Sequence, residues 1–137
     1  MRNAIENLLA AQQLAMATRP KVGGFPYLAE VLRKAGVKHN IWQLPACQSV
    51  YITDAGPVVS VMPSLIDGTA NIPDFDREGL IKAIRVDQAG GSTFIEFLKA
   101  TWEAGVITYE VDFNERIVTY RGVHGEEYVE HYSQVEV

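Results

Sequence analysis

A single cysteine, Cys47, stands in the whole chain, so no intramolecular disulfide can form and nothing points to an oxidising compartment. No run of 18 or more apolar residues occurs, which excludes a membrane-spanning helix. The opening stretch "MRNAIENLLAAQQLAMA" carries Glu6, Gln12 and Gln13 within its apolar residues, which spoils a signal-peptide reading. The cytoplasm is therefore the expected compartment. Positive charge is scarce as well. The nearest thing to a basic patch is Arg33, Lys34, Lys38 and His39 around one helix end, where cations suit the helix dipole. Nucleic acid is accordingly not expected as a partner.

What is present suits one globular domain. Hydrophobic residues make up 47% and charged residues 21% of the 137, ordinary values for a folded chain. A chain of this length buries roughly two thirds of its unfolded surface, so it needs no staples. The net charge of −5 is unevenly spread. Residues 1–68 hold six Lys/Arg and four Asp/Glu, giving +2, whereas residues 69–137 hold six and thirteen, giving −7.

Helical periodicity opens the chain. Asn3 with Glu6 three residues on resembles a capping box, and Ile5, Leu8, Leu9, Gln12 and Met16 follow helical spacing as the expected buried stripe. "TRPKVGG" breaks this helix. A second helix has Pro26 at its start, a stripe of Leu28, Val31, Leu32 and Ala35, an outer Glu30–Lys34 pair and Gly36 as its stop. "VKHNIWQL", "SVYIT" and "PVVSVM" read as three strands, with Gly56–Pro57 at the second turn. Residues 63–73 form a connector. The plan then repeats. Asp76 caps a helix with Leu80, Ile81 and Ile84, and Thr93 with Glu96 make a capping box for a helix striped by Phe94, Phe97, Leu98, Thr101 and Trp102. "VITYEVDF", "RIVTYR" and "EYVEHY" are three further strands, the first placing Ile107, Tyr109, Val111 and Phe113 on one face.

"FPYLAEVLRKAGV" at 25–37 echoes "FIEFLKATWEAGV" at 94–106, an offset of 94 − 25 = 69 that also relates Tyr51 to Tyr120 and Gly56 to Gly125. The expected architecture is α+β: two α-α-β-β-β units, about 3–62 and 74–132, in a mainly antiparallel sheet flanked by helices. One feature runs against two equal copies. Ile107, Tyr109 and Val111 map onto Lys38, Asn40 and Trp42, which leaves the first strand's buried face ambiguous.

In "RPKVGGFPYLAEVLRKAGV" and "AGVITYEVDFNERIVTYRGVHGEEYVEHY" the chain resembles the YdfO-like family, small domains of enterobacterial chromosomes and prophages sometimes labelled phage envelope proteins. The resemblance runs from about residue 3 to 135. It is most specific at Gly24–Phe25–Pro26, Ala104–Gly105–Val106 and Tyr128–Val129–Glu130. It implies an internally duplicated α+β domain and brings no activity and no catalytic residues.

Several constellations could carry chemistry. "HGEEYVEHY" gathers His124, His131 and three glutamates, but Glu127 and His131 lie about 13 Å apart along a strand, so no pair there chelates alone. No metal or cofactor is expected. Cys47 with His39, and an acid such as Glu110, would make a thiol nucleophile with its base, although no local signature of a thiol hydrolase surrounds them. Gly23–Gly24 and Gly90–Gly91 precede helices but lack phosphate-loop spacing. His39, Trp42, Tyr109 and Tyr120 come from equivalent strands and could line a groove between the repeats. The candidate pocket is thus His39, Trp42, Cys47, Tyr109, Glu110 and Tyr120.

Every catalytic pattern fails on spacing. The expected function is that of a small non-enzymatic binding or regulatory protein, with a protein partner or a homo-oligomer and no membrane. The rival is a small-molecule binder or enzyme using the inter-repeat groove.

Overall fold

The computed structural model describes residues 3–137, in the order α1 (Ala4–Thr18), α2 (Gly24–Lys34), β1 (Val37–Gln43), β2 (Gln48–Thr53), β3 (Gly56–Val61), α3 (Arg77–Gln88), α4 (Phe94–Glu103), β4 (Val106–Asp112), β5 (Ile117–Gly122) and β6 (Glu127–His131). The six strands form one antiparallel sheet in the order β3-β2-β1-β4-β5-β6. The fold is α+β, and no helix among the described residues is long and apolar enough to cross a membrane.

Local chemistry starts the helices where the sequence places them. The Asn3 side chain accepts from the Glu6 N–H, Asp76 from Gly79 and Thr93 from Glu96, and only Thr93–Glu96 closes both arms of a capping box. Pro26 is the third residue of α2, still within the first turn, and the helix begins at Gly24 behind a left-handed Gly23. The turn between β2 and β3 is Asp54–Ala55, and Gly56 already belongs to β3.

The helices cover one face of the sheet. α1 lies on β3, α2 on β1 and α4 on β4, while α3 reaches β6 through Arg85, whose guanidinium pairs with Glu130. Beneath them Val37, Trp42, Tyr51, Val58, Val106, Tyr109, Val111, Val118 and Tyr120 form the buried side of the sheet. β1 and β4 bury the same places: Val37, Asn40 and Trp42 against Val106, Tyr109 and Val111, each pair 69 apart. Both strands also break register just after their first residue, between Val37 and His39 and between Val106 and Thr108. Each irregularity turns the first residue inward in place of the second. It is therefore Val106, not Ile107, that joins the core. The mismatch in strand parity disappears with it, because buried Asn40 is the counterpart of Tyr109 and donates to the Val50 carbonyl at 3.3 Å.

Two expected helix faces are corrected. In α1 the core takes Leu8, Ala11 and Ala15, whereas Ile5, Leu9 and Met16 are exposed, so the side with two alanines and one leucine faces the sheet. In α2 Glu30 is not an outer partner of Lys34. It is 1% exposed and bonded to Arg33 of its own helix and to Arg116 of the β4–β5 turn. The arginine from the other half makes that burial tolerable, and no periodicity could announce it.

Candidate binding surface

The strand face opposite the helices carries no covering element among the described residues. Its register reads as rows across all six strands. One row is Val59, Val50, Ile41, Glu110, Thr119 and Val129; a second is Pro57, Ile52, His39, Asp112, Ile117 and His131. Paired residues project to the same side, so these rows define a continuous surface. It divides along the β1–β4 ladder. On the β1–β3 side Ile41, Ile52, Val59 and Val61 are exposed. On the β4–β6 side charged groups dominate, and Arg121 lies 3.1 Å from Glu127 and 3.6 Å from Glu110. With strand spacing of about 4.8 Å, six strands span about 24 Å, and each runs about 20 Å. The footprint is on the order of 500 Å², the scale of a protein contact rather than of a small-molecule cleft.

The sheet itself separates the six candidate pocket residues. His39 and Glu110 meet on the open face, Nδ1 to Oε1 at 3.6 Å, and His39 Nδ1 makes no hydrogen bond. Trp42, Cys47, Tyr109 and Tyr120 are buried on the helix side. There Trp42, Tyr109, Tyr120 and Tyr128 follow one another across β1, β4, β5 and β6, with ring centroids 6.3, 5.5 and 6.4 Å apart. Phe94 closes the row edge-on against Trp42 at 5.2 Å. Burial pushes the Tyr109 hydroxyl well above its ordinary pKa, and the Tyr120 hydroxyl and the Cys47 thiol up with it. All three shifts favour the neutral forms and oppose nucleophilic or base chemistry at neutral pH. The "QLPACQS" loop does not present the thiol, since Cys47 is fully buried at a left-handed position of the β1–β2 turn.

The His/Glu cluster of the last strand is likewise dispersed. Glu126 accepts from the His124 N–H, Glu127 pairs with Arg121, and Glu130 turns under α3 to Arg85 and the Tyr128 hydroxyl. No group of three or more potential metal ligands occurs among the described residues. Two surface hollows, one between α3 and α4 around Ala83 and Ala100 and one beside Trp102 and Pro45, bring together no such cluster either.

Sequence reasoning missed Val50, Ile52, Val59 and Val61 as a surface. A signal for them existed. Val50 and Ile52 alternate with Ser49, Tyr51 and Thr53 in β2, and Val59 and Val61 flank Ser60 in β3, a period-two apolar row of the kind that an antiparallel strand ordinarily turns to a covered face.

A family model described as "Protein of unknown function (DUF1398)" matches residues 13–131. An uncharacterized protein of Mycobacterium bovis is 54% identical over 136 residues, covering 99% of this chain and 83% of its own length. Uncharacterized proteins of two Mycobacterium tuberculosis strains match to the same extent. These relatives are mycobacterial and the family description names no phage, so neither carries the enterobacterial and prophage association that the sequence resemblance implied.

Proposed function

We propose that this chain, which belongs to the DUF1398 family of proteins of unknown function, is a small non-enzymatic binding protein that docks a protein partner on the open face of its sheet. The observation that carries the reading is the uncovered row Val59–Val50–Ile41 on one side of the β1–β4 ladder and Glu110–Arg121–Glu127 on the other. An apolar half supplies area, and the charged half supplies orientation. A fitting partner presents an apolar patch flanked by charge of its own. The buried, neutral tyrosines and thiol support a binding role over an enzymatic one, since they fill the space between the helices and the sheet. The matching spans, registers and buried positions of the two halves support reading them as copies of one unit. Such copies would make the open face a product of joining rather than a surface present in either half alone.

The test is site-specific photo-crosslinking in the native host. A photoreactive residue at Ile52, on the open face, is compared with one at Lys99, on α4. The expected result is one protein crosslinked from Ile52 and not from Lys99, which binds the purified chain and loses binding with Ile41→Lys. A bound small molecule in native mass spectra, with no partner crosslinked from Ile52, would overturn the reading.

A further inference from the structure

The two ends of the sheet are finished differently. At the β6 end, α3 carries Arg77, Glu78, Lys82, Arg85 and Asp87, Arg85 pairs with Glu130, and the Arg77 guanidinium sits over the Tyr128 ring at 5.1 Å. Charge on an edge strand and its covering helix blocks strand addition. At the β3 end the charge is missing. β3 has no charged residue, and the fifteen residues of α1 have one, Glu6. Pro57 confines β3 to the edge but stands at its start, leaving Val58–Val61 uninterrupted. The segment that follows turns away: the Met62 N–H donates to Cys47 and the Leu65 N–H to Pro45, both in the β1–β2 turn.

The exposed stripe of α1 points past this same edge. Asn7 donates to the Ala35 carbonyl and Thr18 meets the Tyr27 hydroxyl, which fixes the side of α1 that faces α2. Leu8, Ala11 and Ala15 fix the side that faces the sheet. At about 100° per residue, Ile5, Leu9 and Met16 lie roughly 160–180° from Asn7. Because α2 lies inward over β1 and α1 outward over β3, that direction leads off the sheet beyond β3. Ile5, Leu9 and Met16 are 57%, 50% and 56% exposed, and Val59 and Val61 are each 66%.

We propose that a second copy of this chain docks at this end, β3 pairing antiparallel with β3 of the copy while the α1 stripes pack on one another. Antiparallel pairing of identical strands is twofold-symmetric, as a closed dimer requires. The chain already joins its own halves in this manner, through the antiparallel β1–β4 ladder. In a chain of net charge −5, a nearly uncharged end is also where two copies meet with least repulsion. The helix runs about 22 Å over fifteen residues and the strand about 20 Å over six, of which Val58–Val61, about 13 Å, pair without interruption. A wall of that length and two layers deep, about 20 Å, buries on the order of 900 Å² over both copies, in the range of weak complexes, hence a concentration-dependent dimer. The dimer would continue the sheet to twelve strands with both open faces on one side.

Sedimentation velocity of the full chain over a concentration series tests this, on the wild type and on Leu9→Lys, Val59→Lys, Ile41→Lys and Val129→Lys, with circular dichroism confirming each fold. The wild type is expected to approach twice 15.2 kDa. Leu9→Lys and Val59→Lys should each weaken association about 10-fold or more. Ile41→Lys, on the open face, and Val129→Lys, near the opposite edge, should leave it unchanged. A monomer at every concentration, or a dimer indifferent to both Leu9→Lys and Val59→Lys, overturns the proposal. A dimer broken by Ile41→Lys overturns it too, in favour of face-to-face stacking. Since Leu9 is off the open face and Ile41 is on it, loss of the dimer and loss of partner docking are read separately.

Discussion

Ile41 and Glu110 are opposite each other in the β1–β4 ladder and are also 110 − 41 = 69 residues apart, the offset of the sequence echo. The ladder therefore maps onto itself: His39–Asp112 becomes Gln43–Thr108, and Asn40–Val111 becomes Trp42–Tyr109. Hydrogen bonds beside it obey the same relation, the Phe113 N–H donating to Lys38 and the Leu44 N–H to Ile107. Chemistry does not follow the geometry, because an isoleucine on one side answers a glutamate on the other. The open face is thus symmetric in backbone and divided in character.

Ile41→Lys places an ammonium opposite Glu110 on an exposed face. Thermal unfolding should shift by no more than about 0.5 kcal/mol, since a cross-strand ion pair offsets the lost apolar contact. Binding of a protein captured by crosslinking from Ile52 should fall about 10-fold or more. Equal losses in both measurements would mean that Ile41 serves the fold.

Glu30→Gln breaks the link between α2 and the β4–β5 turn, where Arg116 Nε lies 2.7 Å from Glu30. Burial raises the Glu30 pKa, but hydrogen bonds and charge from Arg116 and Arg33 outweigh it and hold the carboxyl below its ordinary 4.5. A depressed carboxylate stabilises the fold above its unfolded pKa, and that contribution is lost as the pH falls through the folded value. At neutral pH the variant should lose about 3 kcal/mol. Urea unfolding at several pH values should show the gap from wild type constant above about pH 5 and narrowing below about 4.5.

Gly36 and Gly105 occupy matching places after α2 and α4 with φ of 93° and 85°. A side chain in that region costs about 1 kcal/mol at either site. Their surroundings differ. A Cβ at Gly105 would lie 2.5 Å from the Asp74 carbonyl oxygen and from Phe75 Cα, whereas one at Gly36 would meet the Asp54 side chain at 3.0 Å. Gly105→Ala should therefore cost about 3 kcal/mol or more, clearly more than Gly36→Ala. Equal melting temperatures for the two variants would contradict this.

Cys47 should not react with a thiol reagent in the native protein and should react stoichiometrically in denaturant. Burial both raises its pKa and removes access. Modification at a rate near that of a free thiol would show that the β1–β2 turn opens readily.

Much of the architecture was legible because it is written locally. Asn3, Asp76 and Thr93 cap their helices through atoms three residues away, and Gly36 and Gly105 end α2 and α4 by a backbone conformation that favours glycine. The period-two pattern located the strands, and the 69-residue echo anticipated that β1 and β4 would correspond. Tertiary contact decided the rest. Which stripe of α1 faces inward was decided by the packing of the helix on the sheet, and Leu8, Ala11 and Ala15 won over Ile5, Leu9 and Met16. Glu30 became a core residue because Arg116 arrives from 86 positions away. The division of the candidate pocket was legible in sequence, since His39 and Trp42 stand three apart in β1 and Tyr109 and Glu110 one apart in β4, which puts each pair on opposite faces by period two. The irregularity after Val37 precedes both residues and leaves that division intact, with Trp42 under the helices and His39 outside. The sequence by itself determined the elements and their order, since caps, glycine stops and periodicity act within a few residues. Only the tertiary structure decided which surfaces remain open, because exposure depends on what the rest of the chain covers.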